Sequence, residues 1–193
     1  VRAALAVALA LAVAPTASAG WIPVPPKRAC GPLPAACVCS TRTQVSFGYP
    51  ASWNAFAYND GGLYVRSLIW ISTEPFRQPC TSSTDGPMTT VTCRPPVALL
   101  RPNGIAAAWF VGGLRGLDLL PGKPATIAGL PAKVEVVAGG CPQLGGDELI
   151  AAWIETKRER ALYQFRACLR GPDLSSSEAA VQKVLTSARL PYG

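Results

Sequence analysis

The sequence predicts an α+β domain: a largely antiparallel sheet with flanking helices, closed by a C-terminal helix that covers the sheet. Three observations carry this. In residues 161–170, Ala161, Tyr163, Phe165, Ala167 and Leu169 alternate with Leu162, Gln164, Arg166, Cys168 and Arg170, the period of a strand with one buried face. Residues 149–154 are nearly all apolar and precede it across a charged tip, so the two read as an antiparallel pair. After the break at Gly171-Pro172-Asp173, Val181, Val184, Leu185 and Ala188 recur at helical spacing. Ser175 and Glu178 have the spacing of a capping box, and Leu174 is placed to staple onto Ala179. Lys183 and Arg189 suit the C-terminal end of the helix dipole, and Pro191 stops any continuation.

Taken in order, residues 1–19 read as a cleaved signal peptide. Arg2 precedes an apolar run over residues 3–14, and Ala17-Ser18-Ala19 is a small-residue cleavage site. The run is shorter than the roughly 20 residues a membrane span needs. The expected product is a secreted, extracellular or cell-envelope protein with no transmembrane span. Lipidation at Cys30 or Cys37 is the rival reading; two charges precede Cys30, and Cys37 lies well past the apolar run.

Residues 20–43 form an arm rich in proline, with Pro23, Pro25, Pro26, Pro32 and Pro34, and are expected to hold no regular element. Residues 44–193 are of a length suited to a single globular core. Val45, Phe47 and Tyr49 alternate as a first strand, and residues 55–58 suggest a second. Asn59-Asp60-Gly61-Gly62 is a turn, and residues 63–72 a strand whose Leu68-Ile69-Trp70-Ile71 run implies burial on both faces. Residues 75–96 read as loop, residues 105–111 as a strand, and residues 124–127 and 132–137 as a hairpin about Gly129-Leu130-Pro131.

Seven cysteines in an exported chain point to disulfides. Cys80 and Cys93 flank a polar loop, and a bridge there closes a ring worth roughly 3 kcal/mol of chain entropy. Cys141 precedes one strand and Cys168 lies on the next, which pairs them. Cys30, Cys37 and Cys39 allow one bridge and leave one thiol over, free or bonded to another molecule. Cys37-Val38-Cys39 lacks the spacing of a zinc knuckle, and the chain has no histidine to complete one.

The absence of histidine also excludes Ser-His-Asp and Cys-His nucleophiles and HExxH zinc sites. Asp147 and Glu148 read as a turn entering a strand, and Glu155 and Glu159 as partners of Lys157 and Arg158. Gly112-Gly113-Leu114-Arg115-Gly116 lacks the Lys-Ser/Thr pair of a phosphate loop. No catalytic, cofactor-binding or metal-binding residue is therefore assigned. The formal charge is +7, and loss of Arg2 with the leader leaves 17 basic against 11 acidic residues. The expected partner is an unknown protein or an anionic envelope component, since that mild excess does not suggest specific nucleic-acid binding, and the sequence leaves the oligomeric state open. Lys157, Arg158 and Arg160 at the charged tip, with Trp53 after its turn, are the candidate surface-binding residues. Trp70, Trp109 and Trp153 lie in apolar strands and are expected in the core.

In its order of signals the chain resembles the PsbP-like superfamily. The resemblance rests on the first strand leading to Tyr49-Pro50 and Trp53, the hairpin with Gly129-Leu130-Pro131-Ala132, the two long antiparallel strands and the final helix from Glu178 to Ala188. It is similar to small exported members from high-GC Gram-positive bacteria, which share a run like Ala167-Cys168-Leu169-Arg170-Gly171-Pro172. The resemblance implies an α/β/α sandwich with helices on both faces and an accessory or adaptor role without a catalytic constellation. Photosystem function does not carry over, because this chain has an export leader and lacks histidine.

The expected function is a secreted, non-catalytic binding or accessory module of the cell envelope. The competing expectations are a carboxylate-dependent envelope hydrolase and a surface protein held by an intermolecular disulfide.

Overall fold

The computed structural model describes residues 21–23, 45, 47–57, 65–85, 88–112, 116–156 and 161–190. The leader, Cys30, Cys37 and Cys39, the turn at residues 59–62, and Lys157, Arg158 and Arg160 lie outside the described residues.

Two short strands, β1 (Trp21–Pro23) and β2 (Gly48–Pro50), pair antiparallel with Ile22 opposite Tyr49. The proline-rich arm was expected to hold no regular element. Its first residues pair nonetheless, since the edge of a short ladder tolerates proline. After β3 (Asn54–Phe56) and β4 (Val65–Ser72), residues expected as loop form a hairpin, β5 (Cys80–Asp85) and β6 (Met88–Cys93). Threonine supplies the strand preference there, in spite of the polarity that suggested a loop. Next come β7 (Ile105–Gly112), β8 (Lys123–Ile127), β9 (Leu130–Cys141), β10 (Gly146–Glu155) and β11 (Leu162–Leu169), then α1 (Leu174–Ser187). Seven strands make the main sheet in the order β3-β4-β7-β11-β10-β9-β8, antiparallel throughout. The α+β class, with its largely antiparallel sheet and C-terminal helix, is the architecture found.

One face of the sheet packs on α1. Val181, Val184, Leu185 and Ala188, the predicted stripe, meet Trp109, Phe165, Tyr163, Ile71 and Ile154 in the main core. Val45, Phe47 and Tyr49 close the same core, and the Ser187 hydroxyl accepts from the Gly48 N–H at 2.9 Å. The N-terminal segment is thereby tied to the last turn of the helix.

The opposite face is covered differently. Among the described residues it carries no α-helix, only two separate apolar clusters. One gathers Val97, Leu100, Ala106, Leu144 and the Cys141 and Cys168 pair; the other gathers Leu117, Ala151, Trp153 and Leu162. As a result β11 is buried on both sides except at Arg166, where alternation had predicted one buried face. The strand is central, and loops distant in sequence cover its second side.

Both predicted disulfides are present. Cys80 and Cys93 face each other in register across the β5–β6 hairpin, and Cys141 joins Cys168 with Cα atoms 5.8 Å apart. Cys141 reaches β11 across β10, at the register shift between Gly146 and Glu148. Glycine is needed here: a Cβ on Gly146 would lie 3.0 Å from the Cβ of Cys141, and one on Gly140 2.6 Å from that of Leu149.

The helix starts earlier than the Ser175–Glu178 capping box predicts. Asp173 is the N-cap and accepts from the Ser176 N–H at 3.1 Å, while the Ser175 hydroxyl donates to the same carboxylate. Asp173 is held in place from far away, its own N–H donating to the Asn103 side chain at 2.8 Å. The staple is also absent: Ala179 is exposed, and Leu174 packs against the main core.

Candidate functional site

The incompletely covered face holds a cleft of about 270 Å³. The local sequence of β7 makes it. Ala107 and Trp109 point into the main core, so Ala106, Ala108 and Phe110 point the other way. Two alanines lower the floor, and larger neighbours stand above it. Trp70 lies opposite Ala108 on β4, Arg166 opposite Ala108 on β11, and Ala151 opposite Arg166 on β10. One row of four strands thus reads large, small, charged, small.

The walls are mostly apolar. Trp70 meets Phe110 edge to face, with ring centroids 6.1 Å apart. Pro95, Leu144, Leu149 and the Cys141–Cys168 disulfide complete the opposite side. Among the described residues Arg166 is the only formally charged side chain in the lining. Its guanidinium carbon sits 5.7 Å from the Phe110 ring centre, and one of its N–H groups donates to Gln164 at 3.2 Å. No carboxylate among the described residues pairs with it; the ion pair described there is Arg101 with Glu74, at 2.8 Å. The Trp70 indole N–H is buried and has no acceptor. The Trp109 indole N–H shares that condition, but Trp109 lies wholly inside the dry core between Phe47 and Phe165.

Comparison of the chain with protein-family models, curated proteins and solved structures returns no match. The site must be judged by its own chemistry.

Trp53 and Trp70 both lie at intermediate burial. Trp53, a candidate surface residue, is half-buried against the main core, while Trp70, expected in the core, is half-buried in the cleft wall. Trp109 and Trp153 are core residues as predicted. No sequence motif marks the cleft. The Ala-Ala-Ala-Trp-Phe run of residues 106–110 is its one trace, legible only once the faces of β7 are known.

On the α1 face, Glu148 and Glu178 meet. Burial is the main cause that raises the Glu148 carboxyl above its ordinary range, followed by the Glu178 charge and a hydrogen bond between the two side chains. Neither residue lines the cleft. Glu148 lies on β10 and Glu178 on α1, so the two carboxyls face each other between sheet and helix. Among the described residues no group of three or more His, Cys, Asp or Glu gathers, and no helix is long and apolar enough to cross a membrane.

The carboxyl pair has a pH signature. A carboxyl whose folded pKa is raised destabilises the fold as pH rises from its ordinary range through the raised value. Glu148→Gln removes that loss. Its melting temperature is expected to exceed that of the wild type at pH 7, with the gap closing near pH 4. Melts at the two pH values check this, and an equal gap at both would contradict it.

Proposed function

We infer that this chain is an exported, non-catalytic binding or accessory module of the cell envelope, PsbP-like in its architecture, and that the Arg166 cleft is its binding site. The observation that carries the reading is the cleft itself. It is a concave apolar surface with a few polar groups on a rigid sheet, the usual form of a small-molecule or side-chain pocket. The two disulfides fit an oxidising compartment. The antiparallel sheet and terminal helix fit the PsbP-like comparison, whose helices on the second face are not found among the described residues, and the accessory roles of that superfamily favour binding over catalysis. An anionic envelope component is the partner class favoured by the Arg166 guanidinium, which pairs with no carboxylate among the described residues.

The test fills the cleft. Ala108→Phe places a ring on the floor between Trp70 and Arg166. Immobilised oxidised protein and this variant are exposed to the same envelope extract, with near-UV circular dichroism confirming that the variant folds. A component retained by the wild type and lost by the variant is expected. Equal retention by both would remove the cleft from the reading.

A further inference from the structure

We propose that the cleft takes a small organic anion with a flat apolar body: the body lies over Ala106 and Ala108 beside Trp70, and the anionic group meets Arg166. This rests on the reading of the cleft as a binding site and specifies what enters it.

The lining is one-sided in charge and in hydrogen bonding. Among the described residues it holds one cation and no Asp or Glu. Its unengaged side-chain polar groups are the remaining N–H groups of Arg166 and the buried Trp70 N–H, which only donate, and the Gln143 amide, which can donate or accept. Such a lining favours a ligand rich in acceptors and disfavours a cation, which would meet the guanidinium without a compensating carboxylate. A planar carboxylate or sulfonate also matches the fork of an arginine in two parallel hydrogen bonds.

Size and shape narrow the class further. A volume of about 270 Å³ lies at the small end of ligand pockets, enough for one or two fused rings. The floor is two methyl groups on a sheet, and the Trp70 ring forms a wall. A flat body can cover the alanines and contact the indole together, whereas a branched one would leave part of the floor uncovered. The disulfide and Leu149 fix the far wall, so the cleft keeps its shape without a ligand.

The probes are 2-naphthoate, neutral 2-naphthylmethanol and cationic 2-naphthylmethylammonium, which share one ring system. The readout is the Trp70 indole N–H resonance in a 1H–15N correlation spectrum, assigned by its loss in Trp70→Phe. The naphthoate is expected to shift that resonance and to bind about tenfold more tightly than the alcohol, one charge-assisted hydrogen-bonded pair being worth about that factor. Arg166→Gln should bring the two within about twofold, and added salt should weaken the naphthoate alone, since Arg166 is exposed. An alcohol that binds as tightly as the naphthoate, an ammonium that binds more tightly, or a preference that survives Arg166→Gln would overturn the ligand class while leaving the cleft as a binding site. If none of the three probes moves the Trp70 resonance, the cleft reading falls with it.

Discussion

Replacing Val184 with Asp is expected to unfold the domain. Val184 is wholly buried, on the α1 face that meets Trp109, Phe165 and Leu169. The substitution loses the burial of a whole apolar side chain and puts a carboxylate where no described residue can pair with it. Removing apolar contact alone costs about 2 kcal/mol, and desolvating the charge adds more. A total of about 4 kcal/mol or more approaches the lower end of the roughly 5–15 kcal/mol that holds a domain folded. Urea denaturation followed by circular dichroism measures it, and the variant should show little native signal in buffer at pH 7. Lys183→Asp, one residue away on the exposed side of the helix, should shift stability by no more than about 0.5 kcal/mol. A Val184→Asp protein that melts within a few degrees of the wild type would mean that α1 does not close the core.

The same helix shows where sequence reading succeeds and where it stops. The stripe of Val181, Val184, Leu185 and Ala188 was legible because a 3.6-residue period needs only local sequence. The cap was not. Ser175 and Glu178 have the right spacing, but Asn103, seventy positions upstream, holds the Asp173 N–H and sets the helix start two residues earlier. Glu178 in turn meets Glu148 on the sheet, a partner that no local motif could announce. Strand positions behaved in the same way. Residues 105–111, 149–154 and 161–169 were readable as strands from apolar content and alternation, yet which faces are covered depends on loops elsewhere. Leu162, Gln164 and Cys168 are buried although their alternation reads as outward-facing.

The candidate site was less legible than the fold. Its lining comes from β4, β7, β11, the end of β9 and the turn after it, Leu149 of β10 and Pro95 after β6, so no stretch of chain contains it. Ala106 and Ala108 look like ordinary strand filler, and their importance lies in what they fail to fill. Trp70 sits in a run that reads as core, and it departs from the core because no described helix covers that face. The cysteines were the exception. Their pairing could be read from the polar loop that one pair flanks and the strands beside the other, and the second pair turns out to form a wall of the cleft.

That wall makes the Cys141–Cys168 bridge the second substitution of large effect. The bridge closes a ring with a sequence separation of 27, for which the chain-entropy model gives roughly 3.5 kcal/mol. It also does something local. Cys141 passes over β10 at the glycine bulge and anchors the end of β9, with Leu144 just beyond it, against β11. Cys141→Ala with Cys168→Ala keeps the small side chains and removes only the link. The double variant is expected to fold and to melt about 10 °C lower than the oxidised wild type. Reductant should lower both melting temperatures, because both proteins keep the Cys80–Cys93 bridge, and should bring the two together, because only the wild type has the Cys141–Cys168 bridge to lose. Because the link fixes one wall, the variant should also bind 2-naphthoate more weakly than a stability loss alone would explain at temperatures where both proteins are folded. A melting temperature within 2 °C of the wild type would show that the hydrogen-bonded sheet already fixes the wall. The measurement separates two sources of rigidity in the cleft, the ladder of β7, β11 and β10 beneath it and the covalent link beside it. The predicted drop assigns a large share to the link, because the turn at Pro142–Leu144 lies outside the ladder and the Leu144 main chain accepts a bond from Leu100 rather than from a strand.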